Sequence, residues 1–533
     1  MKVLDIQRAV CNEILEKISR SKGVDRQTVE KIKREVCEKY GLKQVPSNSA
    51  LLSLLGEENQ GLVKKLLIVK PARSISGVSV IAVMSPPAEC PHGRCIYCPG
   101  GPSSGSPQSY TGREPAALRG AQNNFDPYMQ VQARLKQLKQ IGHPVNKVEL
   151  IIMGGTFPAR DFSYQSYFIK RCLDALTCVN SNNLNEAKLN AEKSHIKNVG
   201  ITFETRPDYC KSLHVDRMLE LGATRVEIGV QTIYDDVYHI IKRGHTVSDV
   251  VEATRIAKDA GLKVCYHIMP GLPGMSFERD LKMFIELFEN DCFKPDMLKI
   301  YPCLVLEGTE LYNMWRNNQY HPYTTEQLIE LLLKVMEMLP PWVRVQRFQR
   351  DIPAGLITAG NKKSDLRALL LDRMDELNIK TNEIRYREVG HQLTRYGKKP
   401  KLEQVELKIH SYEASEGVEI FLSYEDVVED ILIGFLRMRI PSSKAYRPEV
   451  KTSKTALIRE LHIFGPELEV GRPPLYEWQH RGYGKSLIAE AELLAEEVFE
   501  CSRILVTSGL GVREYYRRLG YTPLGPYMCK EFS

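Results

Sequence analysis

The sequence lacks long apolar segments and lacks the cysteine pattern of a secreted protein. No stretch approaches the roughly 18 continuous apolar residues that a membrane-spanning helix needs. The first residues alternate charged with apolar side chains, so the apolar core of a signal peptide is missing. The 13 cysteines are odd in number and irregularly spaced, which argues against a disulfide framework. These absences exclude membrane spans and disulfide scaffolds and predict a cytoplasmic protein.

Charge is unevenly distributed along the 533 residues, which are too many for one hydrophobic core and predict two or three domains. Residues 1–75 carry 10 Lys and 5 Arg against 9 Asp and Glu, a net charge of +6, whereas the rest of the chain sums to +1. A basic end on a nearly neutral body indicates an anionic partner, with nucleic acid ahead of a membrane. A solvated helical surface explains the same charge equally well.

The pattern of apolar residues predicts helices first and then alternating strands and helices. Residues 1–45 read as two amphipathic helices that stop at Gly23 and Gly41, with Asp25 as an N-cap. From residue 78, helical segments separate six apolar runs at 78–84, 148–153, 199–204, 225–230, 262–268 and 297–301. Six βα units without a GxGxxG fingerprint predict a partial (βα)6 barrel with a parallel sheet.

Beyond residue 380 the pattern changes to that of an α+β domain. Three antiparallel strands are predicted at 419–426, 430–440 and 456–465, followed by a helix at 485–499, a strand at 503–507, a short helix at 512–519 and a last strand. We therefore divide the chain into a basic helical region (1–72), a barrel domain (73–355), a linker (356–381) and a C-terminal domain (382–533).

One loop carries the most informative motif. Cys90, Cys95 and Cys98 are spaced C-x4-C-x2-C after the first predicted strand, at the end where barrel enzymes build their sites. Three thiolates in one Gly- and Pro-rich loop can hold a [4Fe-4S] cluster and leave the fourth iron for S-adenosylmethionine. Zinc is the less favoured alternative because no second CxxC pair occurs and His92 lies inside the loop. Buried structural thiols are less favoured still.

Polar and glycine residues end the next three predicted strands, and each is a candidate for binding S-adenosylmethionine. The glycines let the backbone approach the methionine amino group, the carboxylate suits ribose hydroxyls, and the guanidinium suits the methionine carboxylate. Singly, a strand-end turn or a surface ion pair explains each of them; together at one rim they favour a site. The candidates are Gly154, Gly155, Thr156, Glu204, Arg206 and Gln231.

A second motif lies in the C-terminal domain. Residues 479–484 read Q-H-R-G-Y-G immediately before a helix, the Q-x-x-G-x-G pattern of Gcn5-related (GNAT) acetyltransferases. Gly482 and Gly484 expose N–H groups at a helix N-terminus, where the dipole favours a pyrophosphate. Tyr516 lies four residues before a Gly–aromatic pair and is the candidate for hydrogen bonding the coenzyme A sulfur. Core packing alone would also explain Tyr516.

From about residue 70 to the C-terminus the sequence resembles the catalytic subunit of Elongator, the Elongator protein 3 family. The resemblance rests on ordered motifs that include CPHGRCIYCPGGP, QSYTGREPAALRG, MGGTFPARD, ETRPDYC, RVEIGVQTIYDDVYHIIKRGH, HIMPGLPGM, RELHIFG, HRGYGKSLIAEAE and GPYMCKEF. It implies a radical S-adenosylmethionine barrel joined to a GNAT-like domain. It also implies carbon–carbon bond formation at C5 of uridine 34 in tRNA, with acetyl-coenzyme A as carbon donor and 5-carboxymethyluridine as product.

The resemblance carries over individual residues. Cys90, Cys95 and Cys98 match cluster ligands, and Lys147 matches a contact to acetyl-coenzyme A. The matching coenzyme A-binding positions in the second domain are Glu460, Leu461, His462, Ile463, Tyr483, Gly484, Lys485 and Tyr516. An external one-electron donor is implied as well, and other Elongator-type subunits are candidate partners.

Two positions depart from the family pattern. Eukaryotic members have a longer spacer after the first cysteine, so Cys90 is the least secure ligand, although no other cysteine occurs between Cys37 and Cys172. Many members have a cysteine near the equivalent of Asn382 that joins a zinc site. Because Asn382 cannot supply a thiolate, we predict no structural zinc.

Three functions follow from these motifs. In the first, the two domains are coupled chemically: the adenosyl radical abstracts hydrogen from the acetyl methyl group, the carbon radical adds to uridine C5, and the thioester is then hydrolysed. In the second, the chain is a protein lysine acetyltransferase whose cluster is only structural, which leaves the strand-end residues unexplained. In the third, it is a tRNA-binding scaffold without chemistry. Dependence of turnover on S-adenosylmethionine and tRNA distinguishes them.

Overall fold

In the computed structural model, residues 3–21, 23–55, 62–70, 74–465 and 481–532 are described. The chain begins with helices α1 (Val3–Arg20), α2 (Arg26–Lys39), α3 (Asn48–Ser53) and α4 (Leu62–Leu67). The two predicted N-terminal helices are confirmed, and the side chain of Asp25 accepts a hydrogen bond from the backbone N–H of Thr28 as the N-cap of α2. Apolar side chains of the four helices form a small core of their own.

Seven parallel strands form the sheet of a half-barrel. Each strand pairs with the one that follows it in the sheet, in the order β1-β2-β3-β4-β5-β6-β8. The six predicted strands are confirmed, and a seventh, β8, extends the sheet beyond them. The strands are β1 (Ser79–Met84), β2 (Lys147–Met153), β3 (Lys197–Thr205), β4 (Arg225–Gln231), β5 (Lys263–Ile268), β6 (Met297–Ile300) and β8 (Arg344–Arg347).

Helices cover the outside of this sheet because the strands are buried on both faces and their apolar side chains need a second layer. Phe203, Ile228 and Val264 on the strands, for example, belong to the same core as Phe168 and Phe284 on the helices. The helices are α5 (Pro115–Gln122), α6 (Pro127–Gln140), α7 (Phe162–Thr177), α8 (Leu184–Lys193), α9 (Ser212–Glu220), α10 (Asp235–Ile240), α11 (Val247–Asp259), α12 (Phe277–Glu289), α13 (Glu310–Arg316) and α14 (Thr325–Met338).

The predicted linker, 356–381, contains regular structure. Strand β9 (Ile357–Ala359) pairs with β7 (Val305–Leu306), and helix α15 (Leu366–Glu376) follows. Leu366, Leu370 and Met374 of α15 are fully buried in the barrel core. The segment therefore completes the barrel's outer layer, whereas the division into domains stays a prediction.

A second seven-stranded sheet forms the C-terminal part, with the order β10-β11-β12-β13-β14-β16-β15. The strands predicted near 419–426, 430–440, 456–465 and 503–507 are confirmed, β10 is additional, and the predicted last strand is a pair. The strands are β10 (Val405–Ala414), β11 (Gly417–Asp426), β12 (Ile431–Ile440), β13 (Thr455–Ile463), β14 (Arg503–Val506), β15 (Thr522–Leu524) and β16 (Tyr527–Glu531). The helices are α16 (Ile384–Arg387), α17 (Val389–Tyr396), α18 (Pro448–Lys451), α19 (Tyr483–Leu493) and α20 (Arg513–Arg517).

The second sheet packs on α19 with one face and on the barrel with the other. Leu487 and Ile488 of α19 share a core with strand residues such as Leu436. From the opposite face, Leu505 and Tyr527 enter the barrel core. The two parts are therefore joined by continuous apolar packing.

Buried ion pairs reinforce the contact between barrel and second sheet. Arg459 on β13 donates to both carboxylate oxygens of Asp296, at 2.7 Å each, and Arg439 on β12 donates to Asp259 at 2.7 and 2.9 Å. Glu419 on β11 accepts from both arginines. All five side chains are at most 1% exposed. Within the described residues, no helix is long and apolar enough to cross a membrane.

Candidate active site

The predicted cluster loop lies at the rim where the barrel strands have their carboxyl ends. It follows β1, and parallel pairing brings the ends of all the strands to the same rim. Cys95 and Cys98 are buried and Cys90 is half-buried. Thr156, which follows β2, brings its Oγ1 to 3.6 Å from Cys90 Sγ. The structure thus joins the predicted strand-end residues to the predicted ligands.

Hydrogen-bond donors from separate elements surround the other two thiols. Gln108 Nε2 donates to Cys98 Sγ at 2.9 Å, and Arg243 Nη1 donates to Cys95 Sγ at 3.6 Å. His92 Nε2 lies 3.1 Å from Cys95 Sγ. Donors aimed at sulfur stabilise thiolates and tune an iron–sulfur cluster, so these residues fit the group that the loop predicts.

The charge around the loop is supplied by arginine rather than histidine. Burial, followed by the fields of Arg206 and Arg243, lowers the pKa of His92 to about 3. The imidazole is therefore neutral at physiological pH. Burial raises the pKa of the Cys90 thiol, and Arg243 and Arg206 oppose that rise. Arg243 donates directly to one of the thiols, Cys95, and favours the ionised form.

The spread of the three sulfur atoms favours a cluster over a single zinc ion. Among the described residues, Glu204, Glu227 and His267 are the group of three whose ligand atoms lie within 4.8 Å of one another; the three cysteines do not meet that limit. Ligands about 2.3 Å from one tetrahedral zinc ion lie closer together than that. The wider spacing suits a cube of several irons.

Gly154 and Gly155 allow the chain after β2 to pass close to the loop. Gly154 has a φ of +121°, and a Cβ there would lie 3.1 Å from the backbone nitrogen and oxygen of Ser85 and closer still to its Oγ. A Cβ on Gly155 would lie 3.3 Å from Gln108 Cβ and 3.8 Å from Cys90 Sγ. Larger residues would fill the space in front of the thiols.

The ends of β3 and β4 contribute two oxygen acceptors. Glu204 Oε2 accepts from the Tyr110 hydroxyl at 2.9 Å, and Lys299 Nζ lies 3.4 Å from its Oε1. Gln231 has a φ of +72°, and its Oε1 is buried without a partner among the described residues. Because a buried acceptor without a donor costs free energy, Gln231 Oε1 fits a donor on a bound ligand.

Arg206 is buried and already engaged. It pairs with Asp208 through Nε and Nη2 at 2.9 Å each, and its Nη1 donates to the backbone oxygen of Arg243 at 2.7 Å. These contacts fix the segment that carries Arg243. The role of Arg206 toward a ligand carboxylate stays a prediction.

The second candidate site is a splayed pair of strands in the C-terminal sheet. β13 pairs with β14 only from Thr455 to Ile458, whereas on its other edge it pairs with β12 as far as Ile463. The edge of residues 459–463 that faces β14 therefore lies beyond the last ladder pair. A backbone edge of this kind can pair with the amide groups of a pantetheine arm.

The glycine turn lies beside this splayed edge. Gly482 is the N-cap of α19 with a φ of +92°, and a Cβ on Gly484 would lie 3.7 Å from Ile463 Cγ1 and 3.9 Å from Leu461 Cδ2. The structure thus brings Leu461, Ile463 and Gly484 together. The ring of Tyr483 lies against that of Tyr424 at an angle of 56°, with ring centroids 4.9 Å apart. Lys485 is exposed, and Gln479 lies outside the described residues.

Tyr516 is buried in the core beneath α19, with its ring against Tyr515 and Tyr521. Burial and then Tyr515 raise the pKa of Tyr516, so its hydroxyl stays protonated and can donate. The neighbouring Tyr515 hydroxyl is the nearest atom to a Cβ on Gly484, at 3.2 Å. Tyr515 was not predicted and lies closer to the glycine turn.

Glu460 and His462 point toward the barrel rather than the turn. Glu460 accepts from Arg437 at 2.8 Å and lies 3.9 Å from Lys263 Nζ, and His462 Nε2 lies 2.9 Å from the backbone oxygen of Ser76. Lys263 begins β5, and Lys147 begins β2 at the same end of the barrel. These residues mark the amino ends of the strands.

The two candidate sites therefore lie at opposite ends of the barrel strands. β4 has seven residues, so at about 3.3 Å per residue the ends are about 20 Å apart. Charged side chains inside the barrel fill the interval. They are Glu149, Arg225, Glu227, His267 and Lys299.

Sequence reasoning missed Gln108, Tyr110, Arg243, Lys299 and Tyr515. Tyr110 and Lys299 meet Glu204 from 94 and 95 residues away, so no local spacing connects them. A weak signal was present: two of the missed residues lie in QSYTG, a polar run directly after the cysteine loop. This polar run belongs to no predicted surface helix or strand, so its polar side chains indicate a site.

Comparisons with family models agree with this architecture. Residues 84–287 match the model of the radical SAM superfamily, and residues 295–376 match the radical SAM C-terminal domain. Residues 7–75 match the ELP3 N-terminal domain.

Similar proteins cover the chain almost from end to end. A tRNA uridine(34) acetyltransferase of Methanocaldococcus jannaschii is 52% identical over 98% of both chains. The Elongator complex protein 3 of Homo sapiens is 44% identical over 98% of this chain and 96% of its own length. The solved structure of Methanocaldococcus infernus Elp3 lacking residues 1–46 is 49% identical, covers 86% of this chain and 100% of that one, and superposes with a TM-score of 0.77.

Proposed function

This chain belongs to the Elongator protein 3 family of radical S-adenosylmethionine proteins, and from that premise we propose that it modifies the wobble uridine of tRNA with acetyl-coenzyme A. The product is 5-carboxymethyluridine at position 34. The observation that carries the proposal is the set of donors around the thiols: Gln108, Arg243 and Thr156 meet Cys98, Cys95 and Cys90 at the rim of the barrel.

The rim residues would bind and orient the cofactors. Cys90, Cys95 and Cys98 would hold a [4Fe-4S] cluster, which with S-adenosylmethionine supplies one-electron cleavage to a 5′-deoxyadenosyl radical. Gly154 and Gly155 leave room beside the loop, and Gln231 Oε1, which has no donor among the described residues, would accept a hydrogen bond from the ligand there. Glu204 presents a carboxylate for ribose hydroxyls, held by Tyr110.

The C-terminal domain is proposed to be GNAT-like and to bind acetyl-coenzyme A. The splayed edge of β13, next to Leu461, Ile463 and the glycine turn, supports this assignment. The side chains of Glu460 and His462 are committed to Arg437 and Ser76, so their predicted contacts with the coenzyme would use backbone groups. Tyr516 keeps its predicted role as a protonated donor. Lys147 keeps its predicted contact from the barrel side.

The N-terminal region, 1–72, is proposed to bind tRNA. Its helices α1, α2, α3 and α4 have a core of their own, which leaves their charged faces for solvent and RNA. Residues 1–75 hold nearly all of the chain's net positive charge. Lysine and arginine on such a surface neutralise phosphates and release counterions.

The proposal is tested by anaerobic incubation of the cluster-loaded protein with tRNA, S-adenosylmethionine, a reductant and labelled acetyl-coenzyme A. Nucleoside mass spectrometry should show the label in 5-carboxymethyluridine, and 5′-deoxyadenosine should form. Cys98→Ala should lose iron and both products, because only two of the three cluster ligands remain. Cys178 is exposed and lies outside the loop, so Cys178→Ala should behave as wild type. Efficient acetylation of a lysine peptide with no need for S-adenosylmethionine would support a lysine acetyltransferase instead.

A further inference from the structure

A cluster of three side chains inside the barrel, called the pocket below, resembles a metal site. Glu204, Glu227 and His267 each offer a ligand atom, and the three atoms lie within 4.8 Å of one another. The two glutamates are buried and the histidine is half-buried. Two carboxylates and an imidazole on adjacent strands are a donor set that suits divalent ions such as Mn²⁺.

The ammonium group of Lys299 lies in this pocket. Its Nζ contacts Glu227 Oε2 directly and lies 3.4 Å from Glu204 Oε1. His267 Nε2 is 3.0 Å from the same Glu227 oxygen. The Lys299 side chain, which comes from β6, is 3% exposed. A lysine cation thus stands against the oxygens that a metal ion would need.

Electrostatics keeps the lysine and its main partner charged. Burial lowers the pKa of Lys299, but Glu227, Tyr301 and Glu204 more than reverse that effect and raise it above its ordinary value. Burial raises the pKa of Glu227, but Lys299, His267 and Arg225 lower it well below its usual range. The Lys299 ammonium group and the Glu227 carboxylate therefore form a buried ion pair in direct contact.

We propose that Lys299 is a built-in cation that replaces a divalent metal in this pocket and serves as a positioning residue for Glu204. Its Nζ lies on the Oε1 side of the carboxylate, and the Tyr110 hydroxyl donates to Oε2. With both oxygens anchored, Glu204 holds one orientation at the rim. The second half of this inference rests on the proposed function, in which Glu204 binds the ribose of S-adenosylmethionine.

The first test asks whether removing the lysine creates a metal site. Lys299→Ala keeps Glu204, Glu227 and His267 but removes the competing charge. With the cluster loaded and oxidised, so that the thiols are occupied, the variant should bind one extra Mn²⁺ per chain by electron paramagnetic resonance. Wild type and Lys444→Ala, which breaks an exposed ion pair with Glu416, should bind none. Adding His267→Ala to Lys299→Ala should abolish the extra ion.

Two results would overturn the metal-replacement half. Mn²⁺ bound equally by wild type would make the pocket an ordinary metal site that the lysine tolerates. A folded Lys299→Ala variant that binds no Mn²⁺ would show that the three ligands do not form a site. If the uncompensated glutamates unfold that variant, Lys299→Ala with Glu227→Gln lowers the buried negative charge. In this double variant the side-chain oxygen at position 227 can still bind the ion. The double variant should therefore bind Mn²⁺, but more weakly than a site with both glutamates.

The second test measures S-adenosylmethionine binding by Lys299→Met, which keeps the apolar stem and removes the charge. Affinity should fall about tenfold, the size of effect typical when a supporting residue is lost. Lys299→Arg should restore part of it, and iron content and tRNA binding should stay unchanged. Unaltered affinity in Lys299→Met would refute the positioning role. Failure of wild type to bind S-adenosylmethionine would refute the proposed function, whereas the Mn²⁺ result would still decide the metal-replacement half.

Discussion

A single buried carboxyl, Asp280, ties the turn after β5 to the barrel. Its Oδ2 accepts from the backbone N–H of Gly271 at 2.8 Å and from the Tyr323 hydroxyl at 2.7 Å, and its Oδ1 is buried without a partner among the described residues. Burial raises the pKa of Asp280 to about 7 despite both hydrogen bonds. The turn at residues 270–274, which read PGLPG, therefore rests on a group that titrates near neutrality.

This raised pKa predicts a pH dependence of stability. Asp280 ionises near 3.8 in the unfolded chain, so between that pH and about 7 the folded state binds the extra proton. The stabilisation is complete below the unfolded pKa and is lost as pH rises through the folded one. Its size is of the order of 4 kcal/mol. Urea unfolding of wild type and Asp280→Asn should show the variant gaining on wild type between about pH 4 and pH 7, then a constant difference. Parallel profiles would contradict the assignment.

At the scale of elements, the splay between β13 and β14 predicts a selective defect. Gly484→Val should place methyl groups against the Tyr515 hydroxyl, Ile463 and Leu461 and narrow the proposed coenzyme cleft. Overpacking of this kind costs about 1–3 kcal/mol, so the affinity for acetyl-coenzyme A, measured by calorimetry, should fall about 5- to 150-fold.

The matched control for this variant is Ala489→Val, which introduces the same valine side chain at an exposed position of the same helix. At saturating acetyl-coenzyme A the Gly484 variant should still form 5′-deoxyadenosine, because the cluster is at the other end of the barrel and only the coenzyme affinity falls. Equal loss of coenzyme binding in both variants would show a general effect on α19 and would contradict a coenzyme cleft beside Gly484.

The elements that could be predicted from sequence are those that are buried along their own length. The six predicted barrel strands are apolar runs that are mostly buried, most completely in β4, where only the last residue is partly exposed. β8 has one apolar residue among Arg344–Arg347 and becomes a strand only through its pairing with β6. β10 is a partly exposed edge strand whose register is set by ten pairs with β11. Both depend on a partner that local sequence does not reveal.

The same reason divides the site residues. The predicted cluster ligands are close in sequence, so their spacing alone identifies Cys90, Cys95 and Cys98. Lys299 and Tyr110 contact Glu204 only after the sheet has formed. The local sequence around each of them also has an ordinary structural explanation and does not by itself connect it with Glu204. Tertiary pairing, not composition, assigns them to the site.

At the scale of the whole molecule, the interface between barrel and second sheet depends on buried charge. Arg459→Met leaves Asp296 without its main partner, and breaking a buried pair from one side costs about 3–5 kcal/mol. We expect a lower unfolding midpoint and faster proteolytic cleavage between the two parts. Adding Asp296→Asn should recover most of the loss, because the uncompensated charge is gone. Equal stability of wild type and Arg459→Met would show that apolar packing alone holds the parts together.

The sequential order of the barrel strands also has a consequence for protein synthesis. Every barrel strand finds its neighbour among residues that the ribosome has just released, so the half-barrel can assemble while translation continues. Asp259 and Asp296 emerge 180 and 163 residues before their partners Arg439 and Arg459. Until then these carboxylates lack the arginines that pair with them in the folded protein. We therefore expect the second sheet to close that end of the barrel late in folding, when its arginines become available.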